Sequence, residues 1–189
     1  MAMNAAQVRV FGSGEVYLAP AETAMPVSLT TDPASPWEGT GLITTDGLTL
    51  SFGRETTDLF AWQSLDPVRT VKTSEPKTAA FTLMESDLAS FMLAIGGGEI
   101  VESGTDPDFI YTYTPPPAGY VDERAMLIDL IDGTFKYRWY FPRVINKETV
   151  EMKAVNDDAF SFPITMSVLK PSTGDVFKYV TNDAANAAA

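Results

Sequence analysis

The stretch RAMLIDLIDGTFKYRWYF, residues 124–141, decides the fold class. The dipeptide Asp132-Gly133 lies in its middle, and this pair favours the tight turn of a β-hairpin because both residues tolerate positive φ angles. Beyond the turn, apolar residues recur at every second position, which is the period of a strand with one buried face; they are Phe135, Tyr137, Trp139 and Phe141. The sequence therefore predicts an antiparallel hairpin in which residues 124–131 pair with residues 134–141.

The rest of the chain also favours strands. Valine, threonine and phenylalanine recur in short runs of period two, and such residues suit a pleated, half-buried sheet. The dipeptide Asp46-Gly47 predicts a tight turn, and residues 20–39, with four prolines, predict an irregular loop. We expect further strands at residues 7–19 (interrupted at Gly12-Ser13-Gly14), 42–45, 48–52, 77–84, 109–114, 148–154, 160–169 and 176–181.

Residues 85–95 are the one segment that predicts a helix. Ser86 is a suitable N-cap, and the glycines at 96–98 end the segment. Its apolar residues recur at helical spacing, at Leu88, Phe91, Met92 and Ile95. The sequence thus predicts a single mainly β domain over residues 1–182, a β-sandwich or barrel-like fold with one flanking helix. The Ala/Asn-rich residues 183–189 are expected to form a flexible tail that frays unless something docks it.

Two residue types are absent from the 189 residues. Without cysteine there is no disulfide, thiolate metal site or thiol nucleophile, and without histidine the commonest general base and transition-metal ligand are missing. The formal charge of −12 opposes phosphate binding, which normally needs a basic patch; the nearest approach to one is Lys136, Arg138 and Arg143. We therefore expect binding or scaffolding rather than catalysis, with no catalytic residue, metal or cofactor.

Some features have both a functional and a structural interpretation. None of the carboxylate pairs has the spacing of an EF-hand calcium loop, so we interpret them as surface turns; they are Asp106/Asp108, Asp129/Asp132 and Asp157/Asp158. A sugar-stacking platform would draw on Trp37, Trp62, Trp139, Tyr111 and Tyr113. The alternation around Trp139 favours core packing instead.

Residues 53–76, GRETTDLFAWQSLDPVRTVKTSEP, form a connection longer than the loops of compact domains, and such connections usually carry function or fold independently. Their ends are strand-like and their middle is apolar. As a protruding hairpin, the segment would expose an apolar patch that soluble monomers avoid. Two alternatives stay open: the segment folds back as core, or it docks against another subunit, where aromatic residues are typical anchors.

The order DGLTLSFGRETTDLFAWQSLDPVRTVKTSEPKTAAFTLMES, residues 46–86, followed by a helix and a glycine break, resembles the major tail tube proteins of long-tailed bacteriophages. The likeness is to those of phages that infect actinobacteria in particular, and it covers residues 41–98. It implies a β-sandwich with a flanking helix, six subunits in a ring, and rings stacked around a channel wide enough for DNA.

The resemblance also implies roles for particular residues. Residues 53–76 correspond to the hairpin that reaches the adjacent ring, so we expect contacts between subunits at Arg54, Asp58, Leu59, Phe60, Trp62, Leu65, Arg69 and Lys72. Polar positions expected to line the channel are Thr49, Ser51 and Glu55. The N-terminal residues and residues 183–189 are candidate arms.

The implied partners are further copies of the chain, the tail tip or baseplate, the terminator and a tape measure protein in the lumen. Genomic DNA is expected to pass through without specific binding.

The sequence shows neither a signal-peptide core nor an apolar run long enough for a membrane helix, so we expect synthesis in the host cytoplasm, no membrane anchor and a place in the virion tail. The open alternatives are a tail terminator or decoration protein, a carbohydrate-binding module, and a hydrolase that uses only carboxylates.

Overall fold

The computed structural model describes residues 7–148, 150–152, 154–157 and 159–186. These residues form one α-helix, α1 at Leu88–Ile95, a short 3-10 turn at Ala184–Asn186, and twelve strands. The strands are β1 Ser13–Pro20, β2 Glu38–Gly39, β3 Ile43–Phe52, β4 Glu55–Phe60, β5 Pro67–Ser74, β6 Lys77–Leu83, β7 Glu99–Thr105, β8 Asp108–Thr114, β9 Glu123–Asp132, β10 Phe135–Asn146, β11 Phe162–Val168 and β12 Lys178–Thr181. The predicted mainly β class with one flanking helix is confirmed.

Eight of the strands form one antiparallel sheet in the order β2-β1-β9-β10-β11-β6-β3, and β12 pairs with β10. The predicted central hairpin is confirmed as β9–β10, with Phe135 opposite Asp132 and Gly133 at φ 58° in the turn. The strand β3 ends the order on one side and β1 lies next to the two-residue strand β2 that ends it on the other, yet β1 and β3 approach each other in space. The sheet therefore curls around its own core, as expected of a β-sandwich-like fold.

The core lies on the concave face of this sheet. Alternate residues of β1, β6, β9, β10 and β11 point into it, together with two residues of the helix, as the period-two pattern requires. The buried side chains of the core include Val16, Leu18, Phe81, Leu83, Leu93, Met126, Ile128, Phe141, Val144, Phe162, Ile164 and Met166. Trp139 packs against this cluster, so core packing is the correct interpretation of that residue.

Residues 20–37, which we name the proline-rich strap, cover the opposite face of β9 and β10. The Arg138 guanidinium donates to the carbonyl oxygen of Ser28 at 2.5 Å, and the Tyr140 hydroxyl donates to that of Thr23 at 2.7 Å. These hydrogen bonds satisfy backbone carbonyls that the irregular strap cannot pair with itself. The strap is thus a fixed part of the fold.

Beneath the strap lies a buried ion pair. The Arg138 guanidinium donates from two nitrogens to the two carboxylate oxygens of Asp129, at 2.7 and 2.6 Å, and both side chains are fully buried. Lys136 contributes a third positive contact to Asp129, at 2.9 Å. Asp129 is therefore a structural residue, and its interpretation as a surface turn residue is wrong.

The dipeptide Asp46-Gly47 does not form the predicted turn. Both residues lie inside β3, where the register against β6 shifts between Ile43 and Leu48. Gly47 has φ 73°, a value that favours glycine and that suits a β-bulge as well as a tight turn. A single bulged strand therefore replaces the two short strands expected at residues 42–45 and 48–52.

Two further local predictions are corrected. Asp87, not Ser86, is the N-cap of the helix, since its carboxylate accepts from the Ser90 backbone N–H at 2.7 Å. Residues 148, 150–152 and 154 form no strand, although Val150 and Met152 pack against the core; the remaining two positions of that predicted strand, 149 and 153, lie outside the described residues.

The C-terminal residues are anchored at Asp183. This carboxylate is buried and accepts from the Tyr137 hydroxyl at 2.5 Å and from Arg9 at 2.6 Å. Asp183 is therefore docked on the body of the fold, whereas residues 187–189, the end of the tail expected to be flexible, lie outside the described residues. The predicted first strand starts at Ser13 rather than at residue 7, and Arg9 from the segment before it reaches the same carboxylate.

Candidate self-assembly interface

The segment at residues 53–76 is a two-stranded hairpin that projects from the main sheet. Its strands β4 and β5 pair with each other and, within the described chain, with no other strand. In the turn between them, Trp62 and Leu65 are 100% exposed, and the neighbouring Phe60 is 63% exposed. The interpretation of this segment as core is wrong, and the protruding hairpin is confirmed.

The hairpin continues the β3–β6 ribbon through a narrow root. The Gly53 backbone N–H donates to the Pro76 carbonyl at 2.8 Å, directly beyond the last β3–β6 pair. A Cβ at Gly53 would lie 2.7 Å from the Pro76 ring, closer than side chains normally approach. Because the root is tight and hydrogen-bonded, the hairpin has a defined direction relative to the sheet.

Hydrogen bonds within the hairpin hold the strands in register. The Thr70 hydroxyl donates to the Asp58 carboxylate at 2.6 Å, and the Thr73 hydroxyl donates to the Glu55 carbonyl at 3.1 Å. At the tip, the Ser64 backbone N–H donates to the Ala61 carbonyl at 3.1 Å. The exposed apolar side chains therefore sit on an ordered turn, which lowers the entropy cost of docking them.

The two faces of the hairpin differ in character. Leu59 lies opposite Arg69, so both side chains share one face with apolar Val71. Asp58 and Lys72 belong to the other face. The structure brings all eight predicted contact residues into this one hairpin, with Arg54 at its root and Trp62 at its tip; their contacts with other subunits stay a prediction.

The three predicted channel residues do not share one surface. Thr49 and Ser51 are exposed on the convex face of β3, in the main sheet. Glu55 lies past the root, in β4, where its carboxylate accepts from the Ser74 hydroxyl at 2.5 Å. A common lining role for all three is therefore unsupported by their positions, whereas Thr49 and Ser51 remain together.

A second exposed hairpin, β7–β8, was only half predicted. Residues 109–114 were expected as a strand, but their partner Glu99–Thr105 was not. The acidic and glycine-containing sequence of β7 alternates poorly, although the turn residues Asp106 and Pro107 mark its end. At its base, Tyr113 donates to the Gly97 carbonyl at 2.8 Å and contacts the Phe91 ring edge-on.

The aromatic residues do not assemble into a sugar-binding platform. Trp37, the last residue of the strap, is buried against Tyr140, and Trp139 packs on the core. Trp62 lies alone at the tip of the first hairpin, and Tyr111 is exposed on the second. Stacking on a sugar ring requires aromatic faces that converge on one site, and the five candidates occupy four separate places.

The basic residues considered for phosphate binding are already paired. Arg143 forms two hydrogen bonds with Glu123, at 2.7 and 2.6 Å, and this guanidinium lowers the pKa of the Glu123 carboxyl. Lys136 and Arg138 both contact Asp129. Their charges are neutralised locally, so they form no patch for nucleic acid.

Within the residues that the structure describes, no group of three or more acidic side chains is placed to hold a metal ion. Nor does any helix in the described ranges have the length and apolar character needed to cross a membrane.

The comparisons with known proteins give one family. A family model described as phage tail tube protein matches residues 1–189, which is the whole length of the chain. The comparison with curated proteins gave no match. The likeness to phages of actinobacteria in particular stays a prediction. This family is one of structural tail proteins rather than enzymes, and its members reside in the virion tail and assemble with copies of themselves and with other tail proteins. The full-length match shows that the chain belongs to the phage tail tube protein family.

Proposed function

We propose that this chain forms rings of six subunits, and that the rings stack into a tube that conducts DNA from the capsid to the host. The observation that carries this proposal is the ordered hairpin with Trp62 and Leu65 fully in water. Apolar surface in water is unfavourable, and burying it against the next ring removes that cost. In this arrangement the β4–β5 hairpin is the contact between rings.

The open edge of the main sheet supports growth around the ring. The strand β3 ends the sheet order, so one of its edges has no strand partner within the described subunit. Such edges associate unless they are covered, and closing a sheet across subunits removes them. The hairpin of one subunit contacts a surface of its neighbour that is not that neighbour's hairpin tip. Such a contact between two different surfaces is heterologous and can be repeated from ring to ring.

The convex face of β3, β6 and β11 is suited to line the channel. Cross-strand partners place Thr49 beside Ala80 and Thr165, and Ser51 beside Thr78 and Ser167. These side chains are small and uncharged. Phosphates passing along such a face meet no cation, so DNA slides without being held. Thr49 and Ser51 are two of the three lining residues that the sequence predicts, and the third, Glu55, lies in β4 beyond this face.

The remaining partners follow from a tube open at both ends. One end meets the tail tip or baseplate, the other meets the terminator, and a tape measure protein occupies the lumen before DNA does. Synthesis takes place in the host cytoplasm. No cofactor takes part in any of these contacts.

Electron microscopy of the concentrated pure protein tests the proposal. We expect tubes with a central channel, formed in a concentration-dependent manner and faster when tail tips are added as seeds. A protein that stays monomeric at millimolar concentration, even with seeds, would refute the proposal. Isolated rings that never stack would instead indicate a tail terminator.

A further inference from the structure

The second hairpin, β7–β8, presents an acidic and aromatic face to solvent. Tyr111 is opposite Glu102, and Phe109 is opposite Gly104, so these side chains lie on the same face. Tyr111 is 54% exposed and Phe109 is 44% exposed. The hairpin carries four carboxylates and no basic residue. Of these, Glu102 shares the face of Tyr111 and Phe109, while Glu99 and Asp108 lie on the other face and Asp106 lies in the turn. The Glu102 carboxylate beside two aromatic rings, on a hairpin without a basic side chain, therefore attracts a cation that can also contact the rings.

The β4–β5 hairpin carries arginine side chains, which are cations that can also contact aromatic rings. Most basic side chains of the main sheet are already in ion pairs. Arg69, by contrast, is exposed and forms no ion pair among the described residues, whereas the charge of the exposed Arg54 helps to lower the pKa of Glu75. Arg69 shares its face with Leu59, which is 50% exposed. This combination of a planar cation and an apolar side chain complements the combination on β7–β8.

We propose that the acidic aromatic face of β7–β8 receives the β4–β5 hairpin of a second copy of this chain, with Arg69 directed to Glu102 and Tyr111. This inference rests on the proposed stacking of rings and names the surface on which the first hairpin docks. The occupant is a second copy rather than an unrelated protein because the two complementary faces occur on the same chain, and one subunit leaves both exposed.

The dimensions of the two hairpins agree with this contact. The strands β7 and β8 have seven residues each, and β5 has eight. At about 3.3 Å per residue, each hairpin extends over roughly 20–25 Å. Each is long enough for several side chains to meet, so the Arg69–Glu102 contact forms beside apolar contacts and is screened less by salt than an isolated surface pair.

A charge exchange tests the proposal. In Arg69→Glu, and separately in Glu102→Arg, like charges oppose each other, and we expect the lowest protein concentration that yields tubes to rise by at least about tenfold. The double variant restores the opposite charges and should return this concentration to within about threefold of the wild type. Lys170→Glu and Asp32→Arg make the same charge changes at exposed positions away from both hairpins. At 0.15 M salt, where the long-range repulsion between acidic subunits is screened, they should assemble nearly like the wild type.

Cysteine cross-linking gives a second measurement, which reports the distance between the two hairpins directly. The chain has no cysteine, so Arg69→Cys and Glu102→Cys each introduce one thiol. The two variants are mixed, assembled and treated with a thiol-to-thiol cross-linker about 10 Å long, the usual separation of packed strands, because a direct disulfide needs Cα atoms within about 7 Å. A cross-linked dimer should form in tubes but not in dilute subunits.

The outcomes separate this inference from the proposed function. If wild-type protein forms no tubes, the proposed function fails. If the wild type forms tubes while Glu102→Arg assembles normally and no cross-linked dimer of the two cysteine variants appears, only the hairpin-to-hairpin contact is refuted. Two damaging single variants without rescue in the double variant would also refute it, since the residues would then act at separate contacts.

Discussion

At the scale of single residues, one carboxylate ties the two ends of the described chain together. Asp183 accepts from the Tyr137 hydroxyl, from the Ala185 backbone N–H at 2.9 Å and from Arg9. These hydrogen bonds and the Arg9 charge favour the ionised form, and they lower the pKa of Asp183 below its ordinary value of 3.8. Protonation of this one group therefore weakens the attachment of both terminal segments.

This linkage predicts a pH dependence of stability. Because the folded-state pKa of Asp183 lies below the unfolded-state value, its contribution is present in full above the unfolded value and is lost as pH falls through the folded one. We expect Asp183→Asn to lower the free energy of unfolding at pH 6, and the difference from the wild type to shrink as pH falls below about 4. Urea unfolding at several pH values measures it.

The control for this prediction is Glu38→Gln. The Glu38 carboxylate is exposed on β2, and among the described residues it forms no hydrogen bond. Its replacement should leave the free energy of unfolding nearly unchanged at both ends of the pH range. An Asp183→Asn effect of equal size at pH 6 and pH 3 would show that the carboxylate acts through its shape rather than through its charge.

At the scale of elements, we expect the β4–β5 hairpin to be needed for assembly into tubes but not for folding of the subunit. Truncating an aromatic anchor at an interface typically costs about 2–4 kcal/mol. We expect Trp62→Ala to lower the yield of tubes strongly, because every ring repeats the contact. The melting temperature of the free subunit should hardly change, since Trp62 contributes nothing to the core. Sedimentation and thermal unfolding measure the two effects on the same sample.

The matched control is the same substitution at a buried tryptophan. Trp37, at the end of the proline-rich strap, is 7% exposed and packs against Tyr140. Trp37→Ala should lower the free energy of unfolding by about 3–5 kcal/mol. If Trp62→Ala lowered the melting temperature of the dilute subunit as much as Trp37→Ala does, the hairpin would be supporting the subunit's own fold and the docking role would be untenable.

At the scale of the whole molecule, the sequence predicted what local patterns determine. The hairpin around Asp132-Gly133 and the alternation at residues 160–169 specify strands through nearby residues alone, and both are present as β9–β10 and β11. Residues 148–154 alternate as clearly, but Val150 and Met152 pack on the core without a strand partner among the described residues. Alternation reports burial, whereas strand pairing depends on distant segments that no local pattern reveals.

The candidate interface, too, could be predicted from the sequence only in part. The length and apolar middle of residues 53–76 were visible in the sequence, and so were all eight expected contact residues. The sequence could not decide whether the segment is core or an exposed hairpin, because that depends on whether the rest of the chain already fills the core. Glu55 was grouped with Thr49 and Ser51 by polarity alone, and the root at Gly53 separates it from them. The sequence does not predict the partner strand of residues 109–114, because the residues of that partner alternate poorly.

The net charge sets the conditions for assembly of the whole molecule. In the proposed ring, six subunits at −12 each give −72, so approaching subunits repel one another. The Debye length falls from about 30 Å at 0.01 M salt to about 8 Å at 0.15 M. We expect the lowest concentration that yields tubes to fall over this range, as measured by sedimentation. The attraction between Arg69 and Glu102 acts at close contact and is partly shielded from solvent, so screening weakens it less than it weakens the long-range repulsion.

A charge variant sharpens this prediction. In the double variant Asp32→Lys with Glu38→Lys, two exposed carboxylates away from both hairpins become cations, and the formal charge per subunit falls from −12 to −8. This protein should form tubes at lower salt than the wild type, because less repulsion remains to be screened. Assembly that weakens steadily between 0.01 M and 0.15 M salt in both proteins would show that attraction between opposite charges, and not repulsion between acidic subunits, governs the approach of one subunit to another.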